Sequence, residues 1–276
     1  MGSEDDDTVV TDLTVSFFSP SDRPSSHALE SPGWHRIEKE LYLHTAQQSA
    51  WLYIAQTKEK ELTPGDLVVT NVSIGNQNPS DDLDQRWESR PGGIWVIRSN
   101  YTRIHNQPLR DVDVLFGRDA VEPRPQWSLL RRPLQLNAQA DVPIARLSIR
   151  RGTSKSRPDN PQGLLRARED GKFKIVQMSD THMVTGVGVC KDRVDAHGKP
   201  LPESEADPFT VDFVGSVLDV ERPNLVVLTG DQLHHDILDS QSALFKVVAP
   251  FIDRSIPYAT VFGNHDAEGL YALSRM

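Results

Sequence analysis

The 276-residue sequence lacks the features that define several classes of protein. Its single cysteine, Cys190, excludes an internal disulfide and a thiolate zinc scaffold. No apolar run approaches the roughly 18 residues that a membrane span requires. Basic residues are outnumbered, with 30 Lys and Arg against 39 Asp and Glu. This deficit argues against a protein that binds nucleic acid by bulk electrostatics.

The first residues are also unlike a secretory signal, because residues 4–7 are all acidic whereas a signal begins with basic residues. With neither a signal nor an apolar span, we expect an intracellular protein, cytoplasmic by default. Hydrophobic residues make up 37% of the chain, which is enough to build buried cores. The length favours two domains over one.

Residues 1–149 predict an all-β domain. Short apolar runs that often alternate with polar residues are typical of strands, and they occur at 11–17, 51–55, 67–74, 94–97, 112–116 and 145–149. Turn-forming segments such as 63–66 separate these runs. No convincing amphipathic helix interrupts the pattern.

This β-rich region contains a weak internal repeat. The segments that begin at Trp34 and Trp127 share the pattern Trp-x-x-[Ile/Leu]-x-[Lys/Arg]-x-Leu-x-Leu, and each follows a Val-rich strand. A degenerate third copy lies near Trp87 and Trp95. A β-unit repeated two or three times resembles the β-prism domains of some membrane-trafficking proteins, and a generic β-sandwich is the alternative.

Residues 150–172 predict a linker between two domains. They begin with a basic, Ser/Thr-rich run and contain Pro158 and Pro161, which discourage regular structure. The charge balance also changes here, from 22 basic and 24 acidic residues before position 173 to 8 basic and 15 acidic residues from there on. We therefore expect a second domain over residues 173–276.

The second domain has a βαβαβ pattern, which predicts an α/β fold with a parallel sheet. Short apolar runs predict strands at 173–178, 225–229 and 258–262. Apolar residues at helical spacing predict a helix over 207–221 that ends before Pro223, and Asp239 is placed to cap a second helix. Right-handed crossovers bring the carboxyl ends of the three strands to one edge of the sheet.

Side chains that bind metal ions directly follow each of these strands. They are Asp180-x-His182, Gly230-Asp231 and Gly263-Asn264-His265-Asp266. Asp, His and Asn supply the oxygen and nitrogen ligands that suit Mn, Fe or Zn ions. Because the strand ends share one edge, the sequence predicts a metal site there.

The three motifs in this order resemble those of the calcineurin-like metallophosphoesterases. The segments 173–182, 228–232 and 257–269 further resemble the fungal phosphatase branch described as dosage-dependent cell-cycle regulators. Over about residues 173–276, the resemblance implies the N-terminal half of a metallophosphoesterase β-sandwich flanked by helices. It implies two divalent metal ions of the Mn, Fe or Zn type and the hydrolysis of phosphate monoesters, with phosphoserine or phosphothreonine on proteins as the substrate.

The resemblance also implies roles for individual residues. Asp180 and His182 would bind the first metal ion, Asp231 would bridge both ions and Asn264 would bind the second. His265 would be the general acid or transition-state stabiliser, with Asp266 orienting it. Imidazole titrates in the useful range, and a neighbouring carboxylate favours its protonated form.

The sequence departs from the family pattern after Asp266. The family has a further His and a Gly-His-x-His motif, whereas this sequence ends at Met276, so we interpret it as a fragment of a longer enzyme. His234 and His235 follow Asp231 by three and four residues, and we expect a supporting or surface role for them. Two alternatives stay open. One is a non-catalytic protein whose β-rich domain binds a protein partner, and the other is a phosphodiesterase that uses the same metal site.

Overall fold

The computed structural model describes residues 7–18, 33–43, 48–79, 86–102, 107–135, 143–152, 165–235 and 237–266. The chain divides into a β-rich unit, Met1–Val114 with Arg124–Arg157, and an α/β unit, Leu115–Pro123 with Pro158–Met276. We call Leu115–Pro123 the inserted segment, because it belongs to the α/β unit but lies far from it in the sequence. Within the predicted linker, residues 153–164 lie outside the described residues, as does Leu136 of the repeat.

Nine strands run through the described residues from the start of the chain to position 150. They are β1 (Thr8–Phe18), β2 (Trp34–Glu40), β3 (Ser49–Lys58), β4 (Leu67–Ile74), β5 (Glu88–Arg90), β6 (Ile94–Asn100), β7 (Asp111–Phe116), β8 (Trp127–Leu129) and β9 (Ala145–Arg150). The prediction of an all-β N-terminal region is confirmed.

These strands form three sheets with one common order. The orders are β1-β3-β2, β4-β6-β5 and β7-β9-β8, so the third strand of each set lies between the first and the second. Trp34 opens β2, Trp127 opens β8, and Trp87 directly precedes β5. Trp34, Trp87 and Trp127 therefore mark the second strand of each sheet, whereas Trp95 lies in the third strand β6.

The burial pattern along β1 matches its pairing with β3. Leu13 and Val15 are buried and alternate with more exposed neighbours, as expected for a strand with one face on a core. Val9 and Val10 are both buried, which breaks this alternation. The register with β3 shifts between Val10 and Asp12, which marks a β-bulge. Val9 lies in a separate buried cluster with Leu62, Val68 and Tyr101.

The α/β unit contains a parallel sheet in the order β10-β11-β12, and helices form its crossovers. The elements are β10 (Ile175–Met178), α1 (Asp207–Glu221), β11 (Leu225–Leu228), α2 (Ser240–Asp253) and β12 (Tyr258–Thr260). The predicted βαβαβ order is confirmed. The strands are shorter than predicted, and at the start of β10 the Oδ1 of Asn224 accepts the Lys174 N–H at 2.9 Å in place of a ladder bond.

Local signals fix the helix ends. At the end of α1, Arg222 is left-handed with φ 45°, its N–H donates to the carbonyl of Leu218, and Pro223 prevents continuation. At the start of α2, the Asp239 carboxylate accepts the Ser242 N–H at 3.0 Å. Both boundaries agree with the sequence prediction.

The core of the α/β unit joins the central strand to both helices. Val226 and Leu228 of β11 pack with Leu218 of α1 and with Val247 and Phe251 of α2. In contrast, all three residues of β12 are exposed. Among the described residues, neither helix is long and apolar enough to cross a membrane.

Candidate metal centre

The predicted metal ligands lie at the carboxyl edge of the β10-β11-β12 sheet. Asp180 and His182 follow β10, and Asp231 follows β11. Each of these three side chains offers one ligand atom, and the three atoms lie within 4.8 Å of one another. The nearest atoms of Asp180 and His182, Oδ1 and Nε2, are 3.8 Å apart. Two carboxylates and an imidazole at this spacing fit a divalent ion with oxygen and nitrogen ligands.

The same three residues have left-handed backbones. Their φ angles are 57° at Asp180, 45° at His182 and 53° at Asp231. Non-glycine residues adopt this region uncommonly, and strained conformations cluster at functional sites. The backbone strain thus coincides with the metal-capable side chains.

Backbone hydrogen bonds between the two loops hold this conformation. The N–H groups of Asp180, His182 and Met183 donate to the carbonyls of Gly230, Asp231 and Gln232 at 3.1, 3.2 and 2.9 Å, which continues the ladder beyond the strands. The Thr181 hydroxyl also donates to the backbone carbonyl of Gln232 at 3.0 Å. These hydrogen bonds fix the loops after β10 and β11 to each other.

Asp266 links the loop after β12 to the loop after β11. Its carboxylate is buried and accepts the N–H groups of Asp231 and Gly263 at 2.9 and 2.7 Å on Oδ2, and that of Leu233 at 2.9 Å on Oδ1. Three backbone donors thus converge on one carboxylate. The structure gives Asp266 a role in holding the backbone that presents Asp231, a role that the sequence analysis missed.

The loop after β12 carries His265, whose backbone N–H fixes it to the site. The His265 N–H donates to Oδ1 of Asp231 at 2.9 Å. Asn264 lies between Gly263 and His265 on this loop, and its side chain is exposed. The structure therefore brings Asp180, His182, Asp231 and His265 together, and the roles of these residues and of Asn264 stay predictions.

Four imidazoles surround the site. The ring centroids of His182 and His265 are 5.3 Å apart, and those of His265 and His235 are also 5.3 Å apart. His235 stacks on His234 at 4.1 Å, and His234 lies 6.0 Å from His182. The sequence analysis gave His234 and His235 a supporting or surface role, and the structure places both rings beside the other two. Their position three and four residues after Asp231 was the sequence signal for this.

Gly263 shows how closely the loops approach. A Cβ at this position would lie 2.1 Å from Oδ1 of Asp231 and 2.4 Å from its backbone nitrogen. A Cβ at Gly230 would in turn lie 2.7 Å from the backbone of Gly263. Any side chain here would force the loops after β11 and β12 apart, so both positions require glycine.

We expect Gly263→Ala to destabilise the α/β unit by about 2–3 kcal/mol, because the added methyl group overpacks the loop contact. The measurement is the urea dependence of unfolding of the α/β unit. Gly215→Ala in α1 is the matched control, since its Cβ would meet only the end of the Arg254 side chain at 3.2 Å and alanine favours a helix. Equal stability of the two variants would contradict the close approach.

The fold and the site together define a class of protein. The parallel strands bring Asp-x-His, Gly-Asp and Gly-Asn-His-Asp to one sheet edge, and residues 173–275 match the family model of the calcineurin-like phosphoesterases. The resemblance predicted from the motifs is therefore confirmed over this part of the chain.

The similar proteins include phosphatases. The chain is 41% identical over 164 residues to Phosphatase DCR2 of Saccharomyces cerevisiae, which covers 58% of this chain and 27% of that protein. It is 28% identical over 273 residues to Uncharacterized protein C1020.05 of Schizosaccharomyces pombe, which covers 91% of this chain and 47% of that protein. It is 36% identical over 111 residues to Probable inactive purple acid phosphatase 28 of Arabidopsis thaliana, which covers 40% of this chain and 27% of that protein. The chain thus spans between about a quarter and a half of the length of these relatives.

Proposed function

We propose that this chain contributes the metal site of a phosphatase that hydrolyses phosphate monoesters, with phosphoserine or phosphothreonine on proteins as the substrate. The observation that carries the proposal is the convergence of Asp180, His182 and Asp231 in strained backbone at one sheet edge. The family match over residues 173–275 supports the phosphoesterase chemistry. The similarity to a fungal phosphatase supports phosphatase activity, and the protein substrate is what the resemblance of the motifs implies.

The proposed site would hold two divalent ions of the Mn, Fe or Zn type. Asp180 and His182 would hold one ion, Asn264 would hold the other, and Asp231 would be shared between them. When bound, such ions polarise the phosphoryl oxygens and lower the pKa of water so that it attacks at neutral pH. The carboxylate at Asp231 is important because it offsets the repulsion between two cations, which a neutral amide cannot do.

His265 is the proposed general acid. Its backbone is fixed to the Asp231 carboxylate, so its imidazole is held at the edge of the metal ligands and can donate a proton to the leaving oxygen. Asp266 acts on it through the loop backbone, because its carboxylate holds the N–H groups of Asp231 and Gly263. This makes Asp266 a positioning residue for both His265 and Asp231.

The proposal also covers the domain organisation. We propose that residues 1–149, apart from the inserted segment that belongs to the α/β unit, form a domain that recruits a protein partner, residues 150–172 a linker and residues 173–276 the first half of the phosphoesterase domain. A second candidate function is a non-catalytic protein with a relic site, and the similarity to a plant protein named as probably inactive favours it. The two functions differ in whether metal binding is accompanied by hydrolysis.

The experiment compares hydrolysis of p-nitrophenyl phosphate by the full chain before and after removal of metal with a chelator. We expect activity to be lost on chelation and restored by Mn²⁺ or Zn²⁺, and His265→Ala to lower kcat about 100-fold with metal content unchanged. His197→Ala is the control, because His197 is exposed in the loop before α1. Metal binding with no hydrolysis would favour the non-catalytic function, and faster cleavage of bis(p-nitrophenyl) phosphate would favour a phosphodiesterase.

A further inference from the structure

A groove opens at the amino end of the β10-β11-β12 sheet, the edge opposite the candidate metal centre. Its volume is about 800 Å³, and Asn224 and Pro257 at its wall directly precede β11 and β12. Because the strands are parallel and four residues of strand span about 13 Å, the whole sheet separates this groove from the metal ligands. Nothing in the proposed hydrolysis uses it.

The groove is lined by three arginines and one carboxylate, Arg166, Arg222, Arg254 and Asp219. Arg254 and Asp219 neutralise each other, since Nε and Nη2 of Arg254 donate to the two carboxylate oxygens at 2.7 and 2.9 Å. The hydrogen bond from Arg254 lowers the pKa of Asp219, so the carboxylate stays ionised and paired. Arg166 and Arg222 therefore leave the groove with a net positive charge.

Neither of these two guanidinium groups pairs with a carboxylate of the described residues. Arg222 uses Nε for a 3.4 Å hydrogen bond to the Asp219 carbonyl. The acidic side chain beside it in the sequence, Glu221, is paired with Lys174 at 2.8 Å. The positive groove thus stands out against the acidic composition of residues 173–276.

The helix end next to the groove does not cancel this charge. The carboxyl end of α1 carries unpaired carbonyls, which repel an anion unless they are capped. Here the N–H of Arg222 caps the carbonyl of Leu218, and the Arg168 guanidinium donates to the carbonyl of Arg222. The remaining wall includes the apolar side chains of Leu165, which is exposed, and Ile256.

We propose that this groove binds an acidic segment of a partner protein. Carboxylates of the segment pair with Arg166 and Arg222, whose planar donors suit them. An apolar side chain of the segment packs against Leu165 and Ile256. The proposal does not depend on the phosphatase function, since the groove and the metal ligands lie at opposite edges of the sheet.

The test is fluorescence anisotropy of a fluorescein-labelled peptide of alternating Leu and paired Glu residues, titrated with the full chain. We expect saturable binding that weakens between about 50 and about 200 mM salt, because the pairing is electrostatic. The double variant Arg166→Gln/Arg222→Gln should weaken binding at least about tenfold. Lys172→Gln is the matched control, since this lysine is 81% exposed and lies outside the groove, and it should change binding less than about twofold.

Absence of peptide binding, or equal binding by the double variant, overturns the proposal. Complete displacement of the peptide by millimolar inorganic phosphate also overturns it, because the site would then recognise a free anion. If the double variant does not fold, Arg166→Gln alone must weaken binding about threefold. Hydrolysis of p-nitrophenyl phosphate by the same samples should be unchanged, so failure of the groove and failure of the phosphatase function are distinguishable.

Discussion

Replacing Asp231 by Asn should remove bound metal and lower phosphatase activity about a thousandfold while the fold is kept. Asn retains an oxygen at Oδ1, so it can still accept the His265 N–H that Asp231 accepts at 2.9 Å. What it loses is the negative charge of a group whose ligand atom lies within 4.8 Å of those of Asp180 and His182. A loss of about 4 kcal/mol of transition-state stabilisation corresponds to about a thousandfold in rate.

The measurement is metal content per chain by elemental analysis, together with kcat for p-nitrophenyl phosphate. Asn264→Ala is the comparison variant. It removes a neutral ligand from one proposed ion, so it should lower metal content less than Asp231→Asn does. Equal metal content in the two variants would count against a bridging role for Asp231. An unfolding midpoint close to that of the unsubstituted chain shows that the fold is intact.

The α/β fold was predictable because its signals are local. Pro223 stops α1, Asp239 caps α2, and an apolar run marks each strand. The topology of a βαβαβ unit then follows from the handedness of crossovers, so the convergence of Asp180 and Asp231 at one edge could be deduced without coordinates. The prediction of a metal site followed from the ligand-type side chains at that edge.

The rest of the site could not be predicted, because it depends on contacts between distant loops. The left-handed backbone at Asp180 and His182 is imposed by hydrogen bonds to the loop after β11, some fifty residues further on. The contact of Asp266 with the backbone of the loop after β11 likewise depends on residues that are distant in the sequence. In the β-rich unit, the bulge after Val10 depends on the partner strand β3 and leaves only a weak trace in the sequence.

The inserted segment is the feature most remote from sequence analysis, and it forms a buried ion cluster. Lys246 of α2 is 3% exposed, and its Nζ pairs with Asp119 of the inserted segment at 2.9 Å and with Asp207 at the start of α1. It also donates to the carbonyl of Gly186 at 2.5 Å. One ammonium group therefore joins the inserted segment, both helices and the loop after the metal ligands.

We expect Lys246→Met to destabilise the α/β unit by about 3–5 kcal/mol, because it leaves two carboxylates buried without their cation. The measurement is urea unfolding of the α/β unit near neutral pH. Lys174→Met is the matched control, since Lys174 is 41% exposed and its pair with Glu221 lies at the surface, where an ion pair contributes at most about 1 kcal/mol. A loss below 1 kcal/mol for Lys246→Met would contradict the role of the cluster.

The pH dependence of this loss provides a second test of the same cluster. Burial raises the pKa of Asp207, and the Lys246 ammonium opposes that rise. A carboxyl group whose pKa is raised by folding favours the folded state while it is protonated, and this contribution is lost as the pH rises through the folded pKa. Without Lys246 the pKa of Asp207 rises further. The stability deficit of Lys246→Met should therefore be largest near neutral pH and shrink toward about pH 4, where carboxyl groups become protonated, whereas a deficit caused only by lost packing would not change with pH.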